Sequence, residues 1–216
     1  MKPQAILFDC DGVLVDSEGA TFELIQSEFA AYGLTLTIPE LETLFLGGTI
    51  EIVASKGREL GAALPPDWVE GYYDRLYAML REGTPLIAGI PELLERLDAE
   101  GIPFAVGSNG RGAKMEATLG QHPKIKARLE GLLFSGQDLG CPKPQPGLYL
   151  HCAEVLGVDP AACVVIEDSP AGARAAKAAG MRCLGYAPHG PAPRLAAEGA
   201  ELFTSMLQVP ALIGLS

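Results

Sequence analysis

The 216-residue sequence has no apolar run long enough to span a bilayer as a helix. Its first residues carry one lysine and then a strand-length apolar run that Asp9 interrupts, a pattern unlike that of a secretory signal peptide. We therefore expect a cytoplasmic protein that has no membrane partner.

Closely spaced cysteine pairs are also missing. The five cysteines include no C-x-x-C pair, and their odd number is unfavourable for a disulfide framework or a tetrahedral zinc site. We expect reduced and mostly buried thiols. Cys10, which lies between two aspartates, is accordingly predicted to be a packing residue and not a nucleophile.

Basic residues are scarce in this chain. There are 16 lysines and arginines against 27 aspartates and glutamates, which gives a formal net charge of −11. Nucleic-acid binding depends on clustered basic side chains, so the composition excludes that class of partner. An anionic substrate would need local groups, such as a divalent cation, to overcome the negative field of the protein.

The apolar segment Ala5–Phe8 has the length and composition of a strand that is buried on both faces of a parallel sheet. Asp9 and Asp11 follow it directly, and ligands of open α/β sheets bind just beyond the carboxyl ends of strands. Two carboxylates so close together predict a cation between them. An isolated D-x-D is also typical of a turn with solvated aspartates.

Residues 17–84 predict a small helical domain, inserted between the first strand and the first helix of the rest of the chain. An insertion at that point is well placed to act as a lid over the loop that follows the first strand. Trp68 and Tyr72 are predicted to belong to its core. Apolar residues recur at helical spacing in four segments, Phe22–Ala30, Pro39–Leu46, Ile50–Leu60 and Trp68–Leu80.

Residues 1–16 and 85–216 predict a second domain, in which strands and helices alternate. Such alternation is typical of a doubly wound α/β fold with a parallel sheet and helices on both faces. A short edge strand is expected near the end of the chain. The other strands are predicted at Phe104–Gly107, Leu132–Ser135, Cys163–Ile166 and Arg182–Leu184.

Two of the predicted connections carry groups that suit a phosphate. Ser108 and Asn109 end a strand and offer a hydroxyl and loop N–H groups, although Ser-Asn-Gly is also simply a good turn. Lys143 lies in a loop stiffened by three prolines, so its ammonium is suited to neutralise a transferring phosphoryl group. A solvated lysine in a rigid connector is the alternative.

Glu167 and Asp168 end a later strand, which should bring them to the same sheet edge as Asp9 and Asp11. Asp168 is also explained as a residue that serves the dipole of the following helix, since Ser169 and Pro170 are typical of a helix start. Four acids at one edge would nevertheless repel each other without a cation. Their oxygen ligands favour Mg²⁺.

Taken together, these four segments resemble the haloacid dehalogenase superfamily, and specifically its β-phosphoglucomutase-like branch with a small helical cap. The resemblance covers essentially the whole chain, with the segments in the family's order. It implies a Rossmann-like core whose first strand is central in the sheet.

The resemblance also implies roles for single residues. Asp9 matches the nucleophile that becomes an aspartyl phosphate, and Asp11 matches the acid–base that protonates the leaving oxygen and later activates water. The Mg²⁺ ligands of the family match the Asp9 carboxylate, the Asp11 backbone carbonyl and Asp168, with Glu167 in support.

The phosphate-binding pair of the family matches Ser108 and Lys143, beside which Asn109 is also a predicted phosphate-binding residue. The resulting prediction is a phosphoric monoester hydrolase that requires Mg²⁺. Its partner would be a small phosphorylated metabolite, and the protein would be a monomer or a weak homodimer.

Other reactions of the family are less consistent with this chain. The haloacid dehalogenases lack a carboxylate at the position of Asp11. The phosphoglucomutases carry a histidine and an arginine where Thr21 and Glu51 stand here. Both differences weaken the interpretation as a phosphosugar mutase, which is kept as the alternative. A non-catalytic interaction module on the same fold is a remoter alternative. Such proteins usually lose the residues that match Asp9, Asp11 or Lys143, and this chain has all three.

The predicted cap contains four basic and eleven acidic residues, so a substrate with several free phosphates would be repelled there. A small monophosphate is therefore expected, most plausibly a sugar or sugar-acid phosphate. The loop Gly47, Gly48 and Thr49 is predicted to contribute to substrate choice, although the two glycines also fit a mere break between helices.

Two further groups of residues are given no role in the chemistry. His122, His151 and His189 match no catalytic pairing and are predicted to be structural or on the surface. Arg111, Lys114 and the basic cluster at 124–128 are predicted to form a solvated basic face.

Overall fold

The computed structural model describes residues 2–45 and 49–215. The chain divides into two compact units, and their described residues are 2–16 with 84–215 in one and 17–45 with 49–83 in the other. Among the described residues, no helix combines the length and the hydropathy that crossing a membrane requires. The predicted specificity positions Gly47 and Gly48 lie outside the described residues.

The described residues of the unit 17–83 form four helices, as predicted. Its core is aromatic, because the Trp68 and Tyr72 rings lie 4.9 Å apart and Phe29 lies 6.0 Å from Trp68. Gly57 permits this packing, since a Cβ there would come within 2.5 Å of the Phe29 ring. Thr49 accepts a hydrogen bond from the Ile52 N–H and so caps its helix. The helices are α1 (Glu18–Ala31), α2 (Ile38–Phe45), α3 (Ile50–Glu59) and α4 (Trp68–Glu82).

The other unit alternates strands with helices over most of its length. Its first elements are β1 (Ala5–Phe8), α5 (Ile90–Ala99), β2 (Phe104–Ser108), α6 (Gly112–Leu119), α7 (Pro123–Arg128), β3 (Leu133–Ser135) and α8 (Gly147–Leu156). They are followed by β4 (Cys163–Glu167), α9 (Pro170–Ala178), β5 (Arg182–Tyr186), α10 (Pro193–Ala197), β6 (Glu201–Phe203) and α11 (Val209–Leu212). Short 3₁₀ turns precede β4 and α11, at Pro160–Ala162 and Met206–Gln208.

The six strands form one parallel sheet in the order β3-β2-β1-β4-β5-β6. The predicted central position of β1 and the predicted edge strand are confirmed. Alternate residues of β1 bury themselves on opposite faces: Ile6 and Phe8 join one apolar cluster, and Ala5 and Leu7 join the other. This two-sided burial is why the strand is apolar at every position, and it confirms the doubly wound α/β fold.

Helix α7 was not predicted. Its segment is short and rich in basic residues, a pattern that predicts a solvated surface. Pro123 occupies a first-turn position that suits proline, and the buried side chain of Ile125 anchors the helix to the core.

The chain leaves and re-enters the sheet-containing unit through two paired segments. The Asp16 N–H donates to the Pro85 carbonyl (2.9 Å) and the Ile87 N–H donates to the Leu14 carbonyl (2.9 Å). Thr84, the first residue after the helical unit, is buried. Its N–H donates to the Gln121 side chain at 2.8 Å, and its carbonyl oxygen lies 2.7 Å from Nε2 of His122, so that histidine has the structural role that was expected.

Candidate active site

Asp9 stands at the carboxyl end of the central strand. Its N–H donates to the Ile166 carbonyl (3.0 Å), so the backbone stays in register with β4 one residue beyond the end of β1. Phe8 pairs with Val106 on one side and with Ile166 on the other. This register brings the ends of β1, β2 and β4 to one edge of the sheet, where Asp9 is 8% exposed.

Lys143 lies between two carboxylates. Its ammonium Nζ is 2.5 Å from Asp9 Oδ1 and 2.5 Å from Glu167 Oε1, and its side chain is only 3% exposed. The interpretation of Lys143 as a solvated lysine in a connector is therefore wrong. Burial lowers the pKa of Lys143, but the two carboxylates outweigh burial and raise that pKa above its usual value.

Asn109 holds the Lys143 loop in place. Its side-chain amide donates to the Lys143 carbonyl (3.0 Å), and its side-chain oxygen accepts from the Lys143 N–H (2.7 Å). The sequence predicts Asn109 as a phosphate-binding residue, and these contacts with the backbone of the lysine are not part of that prediction.

Glu167 is fully buried and both of its oxygens are hydrogen-bonded. Oε1 accepts from Lys143, and Oε2 accepts from the Asp168 N–H (3.1 Å), the Ser169 N–H (3.0 Å) and the Ser169 hydroxyl (2.9 Å). Burial opposes ionisation of this group, but Lys143 and the other donors outweigh it and hold the pKa of Glu167 below its usual range. Glu167 is thus a buried anion in direct contact with the Lys143 ammonium.

Tyr149 is a further member of this cluster that was not predicted from the sequence. Its hydroxyl donates to Glu167 Oε1 (2.8 Å), and the Lys143 ammonium lies 4.8 Å from the centre of its ring. The side chain is fully buried on α8. The available signal was its place on the first turn of that helix, immediately after the loop that carries Lys143.

Three carboxylates could hold a metal ion at this edge. Asp9, Glu167 and Asp168 each offer an oxygen, and these oxygens lie within 4.8 Å of one another. Gly12 makes room for the group, because a Cβ there would lie 1.9 Å from Asp168 Oδ2. A donor set made of carboxylate oxygens fits the preference of Mg²⁺.

The raised pKa of Asp9 fits a site for a cation. Burial raises the pKa of Asp9 to about 7; Lys143 opposes that shift, while Glu167 and Asp11 add to it. A divalent cation would stabilise the ionised form by direct attraction.

The Asp11 carboxylate is engaged elsewhere. Its Oδ1 lies 2.8 Å from Nζ of Lys114, and the two side chains are 22% and 20% exposed. The prediction that Lys114 belongs to a solvated basic face is wrong, although Arg111, one turn earlier, is exposed. Burial lowers the pKa of Lys114, but Asp11 outweighs burial and raises it.

Ser108 is the last residue of β2 and is almost completely buried. Its hydroxyl accepts a hydrogen bond from the Gly110 N–H (2.9 Å), so the predicted turn is present. A Cβ on Gly110 would lie 3.2 Å from the Ser108 hydroxyl and 3.4 Å from Asp11 Oδ2. The Ser108 hydroxyl and the Asp11 carboxylate therefore flank the same point of the turn.

Comparison with known proteins identifies the family. The model of the haloacid dehalogenase-like hydrolases matches residues 3–180. The chain belongs to this family. The prediction of a haloacid dehalogenase-type phosphoric monoester hydrolase is thereby confirmed at the level of the family.

The relatives of this haloacid dehalogenase-like hydrolase include phosphatases. It is 31% identical over 211 residues to 6-phosphogluconate phosphatase of Escherichia coli. This alignment covers 97% of this chain and 94% of the relative. It is 33% identical over 190 residues to the chloroplastic Protein SUPPRESSOR OF QUENCHING 1 of Arabidopsis thaliana, but this match, 85% of the chain, spans only 18% of that protein.

A solved structure of the family is similar over nearly the whole chain. It is a HAD family hydrolase from Deinococcus radiodurans with bound phosphate and sodium, 34% identical, with a TM-score of 0.82. The alignment covers 98% of this chain and 95% of the other. The fold and the family are thus shown together.

Proposed function

We propose that the protein is a Mg²⁺-dependent phosphatase that hydrolyses small phosphomonoesters through an aspartyl phosphate on Asp9. The observation that carries the proposal is the contact of Asp9 with the buried Lys143 ammonium at the end of the central strand. A fixed cation beside a carboxylate suits the transfer of a phosphoryl group, whose transition state spreads negative charge over three oxygens.

In the first half-reaction an Asp9 oxygen attacks phosphorus and the bond from phosphorus to the leaving oxygen breaks. Asp11 gives its proton to that oxygen, so the leaving group departs as an alcohol. In the second half-reaction the Asp11 carboxylate takes a proton from water while the water oxygen attacks phosphorus. The Asp9–phosphorus bond then breaks, which releases phosphate and restores Asp9 and the protonated Asp11.

Asp9 and Asp168 are the proposed side-chain ligands of Mg²⁺, together with the Asp11 backbone carbonyl and with Glu167 in support. The bound ion would supply positive charge that attracts the phosphate and offsets repulsion among the carboxylates. The proposed phosphate contacts are the Lys143 ammonium, the Ser108 hydroxyl and the N–H groups of the turn at Asn109.

The proposed substrates are sugar or sugar-acid monophosphates. Two observations support this class: the name of the Escherichia coli relative, 6-phosphogluconate phosphatase, and the excess of acidic over basic residues in the helical unit. We propose that this unit acts as a substrate-selecting cap through the loop Gly47, Gly48 and Thr49. The five free thiols support the cytoplasmic location that belongs to the same proposal.

The test measures phosphate release with Mg²⁺ from a panel of hexose, hexitol and aldonate monophosphates and p-nitrophenyl phosphate. Wild type should be active, Asp9→Asn inactive and the surface control Asp98→Asn fully active. Acid-quenched wild type should carry a phosphoryl group on the peptide that contains Asp9. Failure of every phosphomonoester would overturn the activity, and activity on p-nitrophenyl phosphate alone would overturn the substrate class.

A further inference from the structure

The two aspartates of the β1 loop are each paired with a different lysine. Asp9 contacts Lys143 from the loop before α8, and Asp11 contacts Lys114 from α6. The pairs lie on different elements, and the carboxylate cluster that could hold a metal contains Asp9 but not the Asp11 side chain among the described residues. Two neighbouring carboxylates with different tasks are thus held by separate cations.

Lys114 reaches Asp11 across a glycine. A Cβ on Gly110 would lie 3.4 Å from Asp11 Oδ2 and 3.5 Å from Cδ of Lys114. The carboxylate and the lysine stem therefore pack against the same turn, which ends at the first helical residues. The ion pair directs Oδ1 of Asp11 toward α6.

The helix itself gains little from a lysine at this position. Lys114 lies in the first turn of α6, where the helix dipole disfavours a cation. The side chain is also only 20% exposed, so it gives up hydration for its contact with Asp11. Both facts indicate that Lys114 serves the carboxylate and not the helix.

We infer that Lys114 is a positioning residue that holds the Asp11 carboxylate beside the Ser108–Gly110 turn and away from the cluster of Asp9 and Asp168. A divalent cation bound to that cluster attracts any free carboxylate nearby, and a ligating carboxylate is no longer available to carry a proton. Lys114 competes for Asp11 and keeps it in reach of the leaving oxygen. The inference rests on the proposed function.

A double-mutant cycle tests whether Lys114 acts through Asp11. Lys114→Met should lower kcat for a sugar phosphate by about 10²-fold, the order of loss expected for a misplaced catalytic group, with little change in KM. In the Asp11→Asn background the same substitution should cause almost no further loss. The loss should be smaller for p-nitrophenyl phosphate, whose leaving group needs less protonation.

The controls separate positioning from folding. Lys114→Arg should recover part of kcat, and Lys124→Met, the same change at an exposed lysine of α7, should match wild type. Urea unfolding without Mg²⁺ should show that Lys114→Met is folded and that its stability effect is coupled to Asp11. If Lys114→Met does not fold, Lys114→Gln takes its place in the cycle.

The outcomes are distinct. Equal losses in kcat from Lys114→Met in the presence and absence of Asp11 would overturn the inference, as would coupling in unfolding without coupling in kcat. An inactive wild-type enzyme would instead overturn the proposed function.

Discussion

The side chain of Asn109 makes two hydrogen bonds to the backbone of Lys143: it accepts from the N–H at 2.7 Å and donates to the carbonyl at 3.0 Å. The two residues are 34 positions apart in the chain: Asn109 follows β2 directly, and Lys143 lies in the loop between β3 and α8. This link sets where the Lys143 ammonium can lie, because the backbone on which the lysine stands is fixed.

We therefore expect Asn109→Ala to lower both activity and stability. Two hydrogen bonds are lost and a partly buried N–H is left without its acceptor, which corresponds to about 1–3 kcal/mol of unfolding free energy. Urea unfolding and steady-state kinetics measure the two effects. Gln26→Ala removes a side-chain hydrogen bond to the Leu36 carbonyl in the helical unit, and it should lower stability without the same loss of kcat.

A second prediction concerns Gly172, which makes room for Glu167. A Cβ at this position would lie 1.7 Å from Glu167 Oε1, so Gly172→Ala must displace a buried carboxylate that is held by several donors. We expect a loss of about 3 kcal/mol in urea unfolding, the upper end of overpacking effects. Gly19→Ala in α1 meets no atom within 4 Å and should be neutral or stabilising by up to about 1 kcal/mol. Equal effects of the two substitutions would contradict the close approach.

A third prediction links Mg²⁺ binding to protons. Burial raises the pKa of Asp9 from 3.8 to about 7 in the metal-free protein. A ligating carboxylate must be ionised, so Mg²⁺ binding at pH 6 should release close to one proton, and binding at pH 8.5 should release almost none. Calorimetric titrations in buffers of different ionisation enthalpy measure this number, and release that is independent of pH would contradict the raised pKa.

The same pKa predicts how the stability of the metal-free protein depends on pH. A raised carboxyl pKa means that the stability contributed by Asp9 is fully present below the unfolded-state pKa, near 3.8, and is lost as the pH rises through about 7. Mg²⁺ should therefore raise the urea midpoint more at pH 8 than at pH 5. Asp9→Asn should abolish most of that difference.

A fifth prediction concerns removal of the Lys143 ammonium. Lys143→Met leaves the buried carboxylates of Asp9 and Glu167 without their shared cation, which is expected to cost about 3–5 kcal/mol of unfolding free energy. The loss should be smaller when Glu167→Gln is added, because one of the two uncompensated charges is then removed. Urea unfolding of the single and double variants at pH 8 measures both values, and an additive loss would contradict the shared contact.

The sequence was sufficient to predict the inner strands of the sheet, because β1, β2 and β4 are short, fully buried segments that end at polar residues. Cys163–Glu167 shows this pattern clearly: its apolar residues are buried on both faces, and the acid that ends it is buried too. The central place of β1 came from the family resemblance, since spacing along the chain does not specify which strands pair.

The roles of Lys114 and Tyr149 were not predicted because both residues lie on helices, where the sequence pattern reports mainly the apolar face. Tyr149 fits an apolar face as well as a hydrogen-bonding role, and Lys114 is indistinguishable in pattern from a solvated lysine. The contacts of Glu167 Oε1 were equally out of reach, because Lys143 and Tyr149 come from another segment of the chain that only the fold brings to Glu167.

Because Leu14–Asp16 pairs with Pro85–Ile87, the helical insertion between them could be replaced without disrupting the sheet-containing unit. The two chain ends that border it are already hydrogen-bonded neighbours, so a short hairpin turn between Asp16 and Pro85 would close the sheet-containing unit without moving either segment. Inserts of other lengths can be accommodated at the same junction with little additional loop-closure entropy. Evolution can thus exchange what stands between these two segments while the carboxylates and lysines of the sheet edge stay as they are.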